Sequence, residues 1–105
     1  MLPELVESAD IVEVELSKIG IQVAEIPKQL LTKLAAMIAS AIDGAGVVVS
    51  NVNIAISSNK INANDLLKKI QNAAGGKGGG SAKAANGMLS RNVTTDDIIT
   101  ILKEQ

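Results

Sequence analysis

At 105 residues, with 47% hydrophobic residues and a formal net charge of −1, the chain is sized for one domain with one modest core. It has no His, Cys, Phe, Tyr or Trp, which excludes a Ser-His-Asp triad, a thiolate nucleophile, an imidazole or thiolate zinc site and the usual aromatic platforms for stacking nucleic-acid bases. No stretch is long and apolar enough to span a bilayer, and the opening MLPELVESAD carries acids where a secretory signal needs basic residues, so a soluble cytoplasmic protein is expected.

Residues 11–16 read IVEVEL, with Val12, Val14 and Leu16 alternating against Glu13 and Glu15, the pattern of a strand with one wet face. A loop is expected around Gly20. Pro27 then opens an amphipathic helix in which Leu30, Leu31, Leu34, Ile38, Ala41 and Ile42 recur at three- and four-residue spacing up to Gly44. Residues 47–57, VVVSNVNIAIS, are uncharged and rich in β-branched side chains: either one buried strand or a tight hairpin turning near Ser50-Asn51. Asn62 followed by Asp65 reads as a capping-box variant, starting a second helix with Leu66, Leu67 and Ile70 on one face and ending at Gly75. Met88-Leu89 is expected to begin a short strand. Val93-Thr94-Thr95-Asp96-Asp97 announces a last helix with Ile98, Ile99, Ile101 and Leu102 inward. The order predicts a small single α/β domain over 1–105, a mixed β-sheet packed with about three α-helices.

The run GGKGGGSAKAANG, from Gly75 to Gly87, follows a helix that has no glycine of its own, and five of residues 75–80 are glycine. Side-chain-free N–H groups can form a concavity for a phosphate, with Lys77 adding a point charge. A flexible Gly/Ser linker has a similar composition. Ordered sequence on both flanks favours a shaped glycine-rich loop over 75–80.

Charge is uneven along the chain. Residues 1–25 hold six acids against Lys18, a local balance of −5. Residues 60–91 hold Lys60, Lys68, Lys69, Lys77, Lys83 and Arg91 against Asp65, a balance of +5. A basic surface around the glycines suits salt-sensitive, sequence-independent contact with a phosphate backbone. Asp96-Asp97 is the adjacent acidic pair; it reads as a first helical turn, where the macrodipole favours acids, rather than as a metal site.

The stretch INANDLLKKIQNAAGGKGGGSAKAANG, residues 61–87, resembles the helix and glycine motif of the C-terminal domain of alanyl-tRNA synthetases, a module related to the domain that accompanies DHH phosphoesterases. The resemblance extends more weakly from about residue 10 through the last helix. It implies a noncatalytic module that binds tRNA, in particular alanine tRNA, and that in some members forms a homodimer. The alternatives are a purely structural dimerisation domain and a nucleotide- or phosphate-binding module of the DHH type. Gly75, Gly76, Gly78, Gly79 and Gly80 match the glycine motif, Lys77 a position often basic or glycine, and Ala85 and Gly87 the small residues after it. Ala82, Lys83 and Asn86 depart from the common proline, acid and glutamine. The residues expected to meet RNA or phosphate are Lys68, Lys69, Gly75, Gly76, Lys77, Gly78, Gly79, Gly80, Lys83 and Arg91. No catalytic residue, metal or cofactor is expected of this chain alone, although the parent protein would be an alanine-tRNA ligase.

Overall fold

A computed structural model describes residues 6–14 and 17–103, without the side chains of residues 14 and 17. The expected inward side chains of Val14 and Leu16, and the outward Glu15, therefore lie outside the described residues. In chain order the elements are β1 (Asp10–Val14), β2 (Ser17–Val23), α1 (Lys28–Ile42), β3 (Ala45–Ser50), β4 (Asn53–Ser58), α2 (Ala63–Ala74), β5 (Lys77–Gly80), β6 (Ala84–Met88) and α3 (Thr95–Lys103). The six strands form one mixed sheet in the order β1-β2-β3-β4-β6-β5. Only β2 and β3 run parallel, and α1 supplies the crossover that such a pair needs.

Side-chain alternation divides the sheet's two faces between helices. On one face Val47, Val49, Ile54 and Ile56 meet Leu66, Leu67 and Ile70 of α2 and Ile98 and Leu102 of α3. On the other, Val48 and Ala55 meet Leu31, Leu34, Ala35 and Ile38 of α1. Small residues recur on the strands under α1, at Gly20, Gly46 and Ala55, because this helix lies close to them. A methyl group at Gly46 would run into the Ala35 carbonyl oxygen, and one at Gly20 into the Ile38 side chain. Hence the loop expected around Gly20 is instead the middle of β2, where glycine serves helix approach rather than a turn.

Local signals place the other boundaries. Pro27 is the N-cap of α1 rather than its first helical residue, and Asp43 closes the helix in the left-handed region at φ 52°. Residues 45–58 form a hairpin: Ser50 pairs with Asn53, and Asn51 takes φ 56° in the turn, a conformation asparagine tolerates. The buried Ser50 hydroxyl accepts the Ile26 N–H at 2.9 Å, tying the entry to α1 onto the sheet. Asn62 caps α2 through its side-chain oxygen, which accepts the Asp65 N–H at 3.1 Å. In α3 the two ends of the expected inward set, Ile98 and Leu102, are fully buried, while Ile99 and Ile101 pack half-buried against the same cluster.

The glycine run is the main departure. Gly75 and Gly76 form a short connection, but residues 77–80 are a β-strand, so a loop spanning 75–80 is not what the chain builds. Its partner β6 begins at Ala84, and Met88 ends that strand rather than beginning one. Four residues without β-branching carry little strand propensity. Pairing with β6 in the register Lys77↔Met88 to Gly80↔Ala85 overrides it.

Candidate nucleic-acid interface

β5 is the terminal strand of the sheet, and all four of its residues are exposed. The Ser81 N–H donates to the Ala84 carbonyl oxygen at 2.8 Å, making 81/84 a hydrogen-bonded pair. Alternation along an antiparallel ladder then aims the N–H and C=O of Lys77 and Gly79 at β6, and those of Gly78 and Gly80 at the free edge.

Gly78 faces Gly87 across the ladder at a separation only two glycines allow. A methyl group on Gly87 would stand 2.7 Å from the Gly78 Cα and collide with the Lys77 carbonyl oxygen. Gln71 of α2 closes over the same point: its Nε2 is 3.1 Å from where a Gly78 methyl group would stand, and it is buried without a hydrogen-bond partner. Gly79 is different, since nothing lies within 4 Å of a methyl group placed there. Every other glycine of 75–80 has a reason within the fold; Gly79 does not.

The expected basic residues do not form one patch. Lys68 lies three residues before Gln71, on the flank of α2 that overhangs β5, and is exposed. Lys77 is paired with Met88 and through it with Asn53, on the sheet face that carries α1. Lys68 and Lys77 thus flank the free edge from its two sides. Lys83 sits in the β5–β6 turn, which is fastened to the start of α2 by the Ala63 N–H donating to the Ala82 carbonyl oxygen at 2.8 Å and to the end of β4 by the Ser58 N–H donating to the Lys83 carbonyl oxygen at 2.9 Å. Arg91 stands past the opposite end of β6, 3.7 Å from the Asp97 carboxylate.

Lys69 is turned away from the edge. Its Nζ donates to the Leu102 carbonyl oxygen at 2.9 Å, where a cation complements the C-terminal end of α3. No sequence signal reveals this, because the partner lies 33 residues on.

Asp96-Asp97 behaves as a helix start. The Thr94 N–H donates to Asp97 Oδ2 at 3.0 Å and the Asp97 N–H to Thr94 Oγ1 at 3.1 Å, a reciprocal capping box. The hydrogen bond from the Thr94 backbone, followed by that from its hydroxyl and the charge of Arg91, outweighs desolvation and holds the Asp97 carboxyl below the usual range. A lowered native pKa makes the cap's contribution complete above the ordinary aspartate value and lost as pH falls through the native one. The protection of α3 amides relative to their intrinsic exchange rates is therefore expected to fall selectively below about pH 4, and Asp97→Asn to remove that pH dependence; an α3 whose protection follows the rest of the chain through that window would refute it. Among the described residues no group of three or more acidic side chains could hold a metal ion.

A mixed six-stranded sheet layered between helices and ending in a glycine hairpin is a recognisable class of α/β domain. The chain belongs to the DHHA1 domain family, whose pattern matches residues 9–105. Its fold is similar to the C-Ala domain from Aquifex aeolicus alanyl-tRNA synthetase, with a TM-score of 0.78 and 22% identity over 90% of this chain and 96% of that one. RecJ in complex with Mg2+ from Thermus thermophilus matches with a TM-score of 0.70 and 21% identity, over 86% of this chain and 14% of that one. An exonuclease RecJ bound to manganese gives a TM-score of 0.72 and 18% identity, over 96% of this chain and 24% of that one. No curated protein sequence matches. No described helix is long and apolar enough to cross a membrane.

Proposed function

We propose that the chain is a noncatalytic tRNA-binding module of the alanyl-tRNA synthetase C-terminal type, from a cytoplasmic synthetase or a freestanding relative, with alanine tRNA as its partner. The observation that carries this reading is Gly79, a glycine with open space around it in an exposed edge strand, where the absence of a side chain serves only something that approaches from outside. Lys68 and Lys77 flank that edge, and Lys83 stands at its turn. The RNA sugar-phosphate backbone would run along β5, meeting these ammonium groups and the outward N–H groups of Gly78 and Gly80. Shape and 2′-hydroxyl contacts would separate RNA from DNA, since no aromatic ring is available for stacking.

The free edge also favours a second reading, a homodimer formed by pairing β5 of two copies. Two flanking lysines per copy oppose that arrangement.

A salt titration of tRNA binding tests the proposal. Lys68→Gln, Lys77→Gln and Lys83→Gln are each expected to reduce the dependence of log affinity on log salt by about one unit. Lys69→Gln should instead destabilise α3 and leave the slope unchanged. Undiminished binding by the triple neutralised variant, or no binding of the parent chain at low salt, would overturn the RNA assignment; sedimentation as a dimer in the second case would leave the edge-pairing account.

A further inference from the structure

On the face that carries α1, that helix covers β2, β3 and β4 and stops short of β6 and β5. A recess of about 190 Å³ opens at this boundary between the start of α1 and the β4–β6 ladder. Its polar lining is Lys28 and Thr32 from α1, Asn53 from β4 and Asn86 from β6; Ala55 lines the sheet side and Met88 the outer side. Register explains the grouping. Asn53 pairs with Met88 and Ala55 with Asn86, so the four share one face in two adjacent rows, which continue outward to Lys77 and Gly79.

Two features leave this recess open to a ligand; Lys28, Thr32 and Asn86 in its lining are exposed and Asn53 is half-buried. The side chains of Lys28, Thr32, Asn53 and Asn86 make no hydrogen bond or ion pair with any described residue. Met88 leaves 49% of its surface exposed although apolar shelter lies beside it. Two carboxamides and a hydroxyl converging beside an apolar wall, with ammonium groups at the rim, complement a planar heterocycle that has hydrogen-bonding edges and a phosphate attached. Carboxamides pair in bidentate fashion with base edges, and a thioether gives a polarizable contact to a ring where no aromatic side chain exists.

We propose that this recess receives a single unstacked nucleobase, its edge read by Asn53 and Asn86, its ring against Met88, and its phosphate toward Lys28 and Lys77. The inference rests on the RNA-binding reading when the base belongs to a strand, and stands apart from it when the base belongs to a free nucleotide.

AMP, GMP, CMP and UMP are titrated separately against the chain, with ribose 5-phosphate as control, following the side-chain amide signals of Asn53 and Asn86 and the Met88 methyl signal by NMR. At least one nucleotide is expected to move these signals while ribose 5-phosphate does not. In parallel, an RNA hairpin with an unpaired loop is compared with a fully paired RNA duplex of equal length. Asn53→Ala/Asn86→Ala should cost about tenfold or more in affinity for the hairpin and leave duplex binding unchanged; Asn86→Ala alone, at an exposed position, gives the same direction if the double variant is unstable. Equal shifts with ribose 5-phosphate, or no shifts together with equal hairpin and duplex affinities, would overturn the proposal while salt-sensitive RNA binding survives. Shifts with a nucleotide in a chain that binds no RNA would identify a free nucleotide as the ligand and dispose of the RNA reading alone.

Discussion

Gly46→Ala is expected to destabilise the chain by about 3 kcal/mol, equivalent to a melting temperature lower by roughly 15 °C for a domain of this size. Gly46 sits in the middle of the sheet, in β3, beneath α1. The added carbon would collide with the Ala35 carbonyl oxygen and stand 3.0 Å from the Ile38 Cβ. Backbone cannot rotate aside as a side chain can, so α1 must lift. That movement loosens Leu34, Ala35 and Ile38 together against Val48 and Ala55. Urea unfolding followed by far-ultraviolet circular dichroism measures the effect directly. A loss below about 1 kcal/mol would mean that α1 rides on the sheet without close contact, and the explanation of the small residues on this face would fail.

The second large effect separates two glycines of the hairpin. Gly87→Ala should cost about 2–3 kcal/mol, because the methyl group would enter the space between paired strands and force β5 off β6. Gly79→Ala should change stability by no more than about 0.5 kcal/mol. RNA affinity is expected to fall in both, in Gly87→Ala through loss of the edge and in Gly79→Ala through a methyl group standing where the ligand approaches. Denaturation and tRNA titration of the same two variants decide the matter. Full RNA binding by a stable Gly79→Ala chain would remove the observation on which the proposed function rests.

Much of the layering is legible in the sequence because it follows from periodicity and caps. Leu31, Leu34 and Ile38 declare the buried face of α1, Asn62 and Asp65 mark the start of α2, and the segment 93–97 announces α3. What is not legible depends on contacts distant in sequence. Gly20 looks like a turn because the helix that needs its bare backbone begins eight residues later. The glycines of β5 look like a loop because strand propensity resides in side chains they lack, whereas their pairing is imposed by β6. The basic residues can be counted in the sequence but not located: Lys68 and Lys77 come to opposite sides of one edge, and Lys69 is consumed by the Leu102 carbonyl. The recess is invisible beforehand, since Asn53, Asn86 and Thr32 belong to no shared motif and meet only through strand register and helix placement.

β6 lies between β4 and β5, although β5 comes first in the chain. β5 and β6 therefore form a local hairpin joined to the rest of the sheet through β6 alone, with α2 steadying its outer member. Such a unit has its own opening equilibrium, cheaper than global unfolding because it exposes little apolar surface. The sheet from β1 to β4 can persist while the hairpin lifts, so the free β5 edge can yield to a partner's shape at less thermodynamic cost than the layers packed under α1.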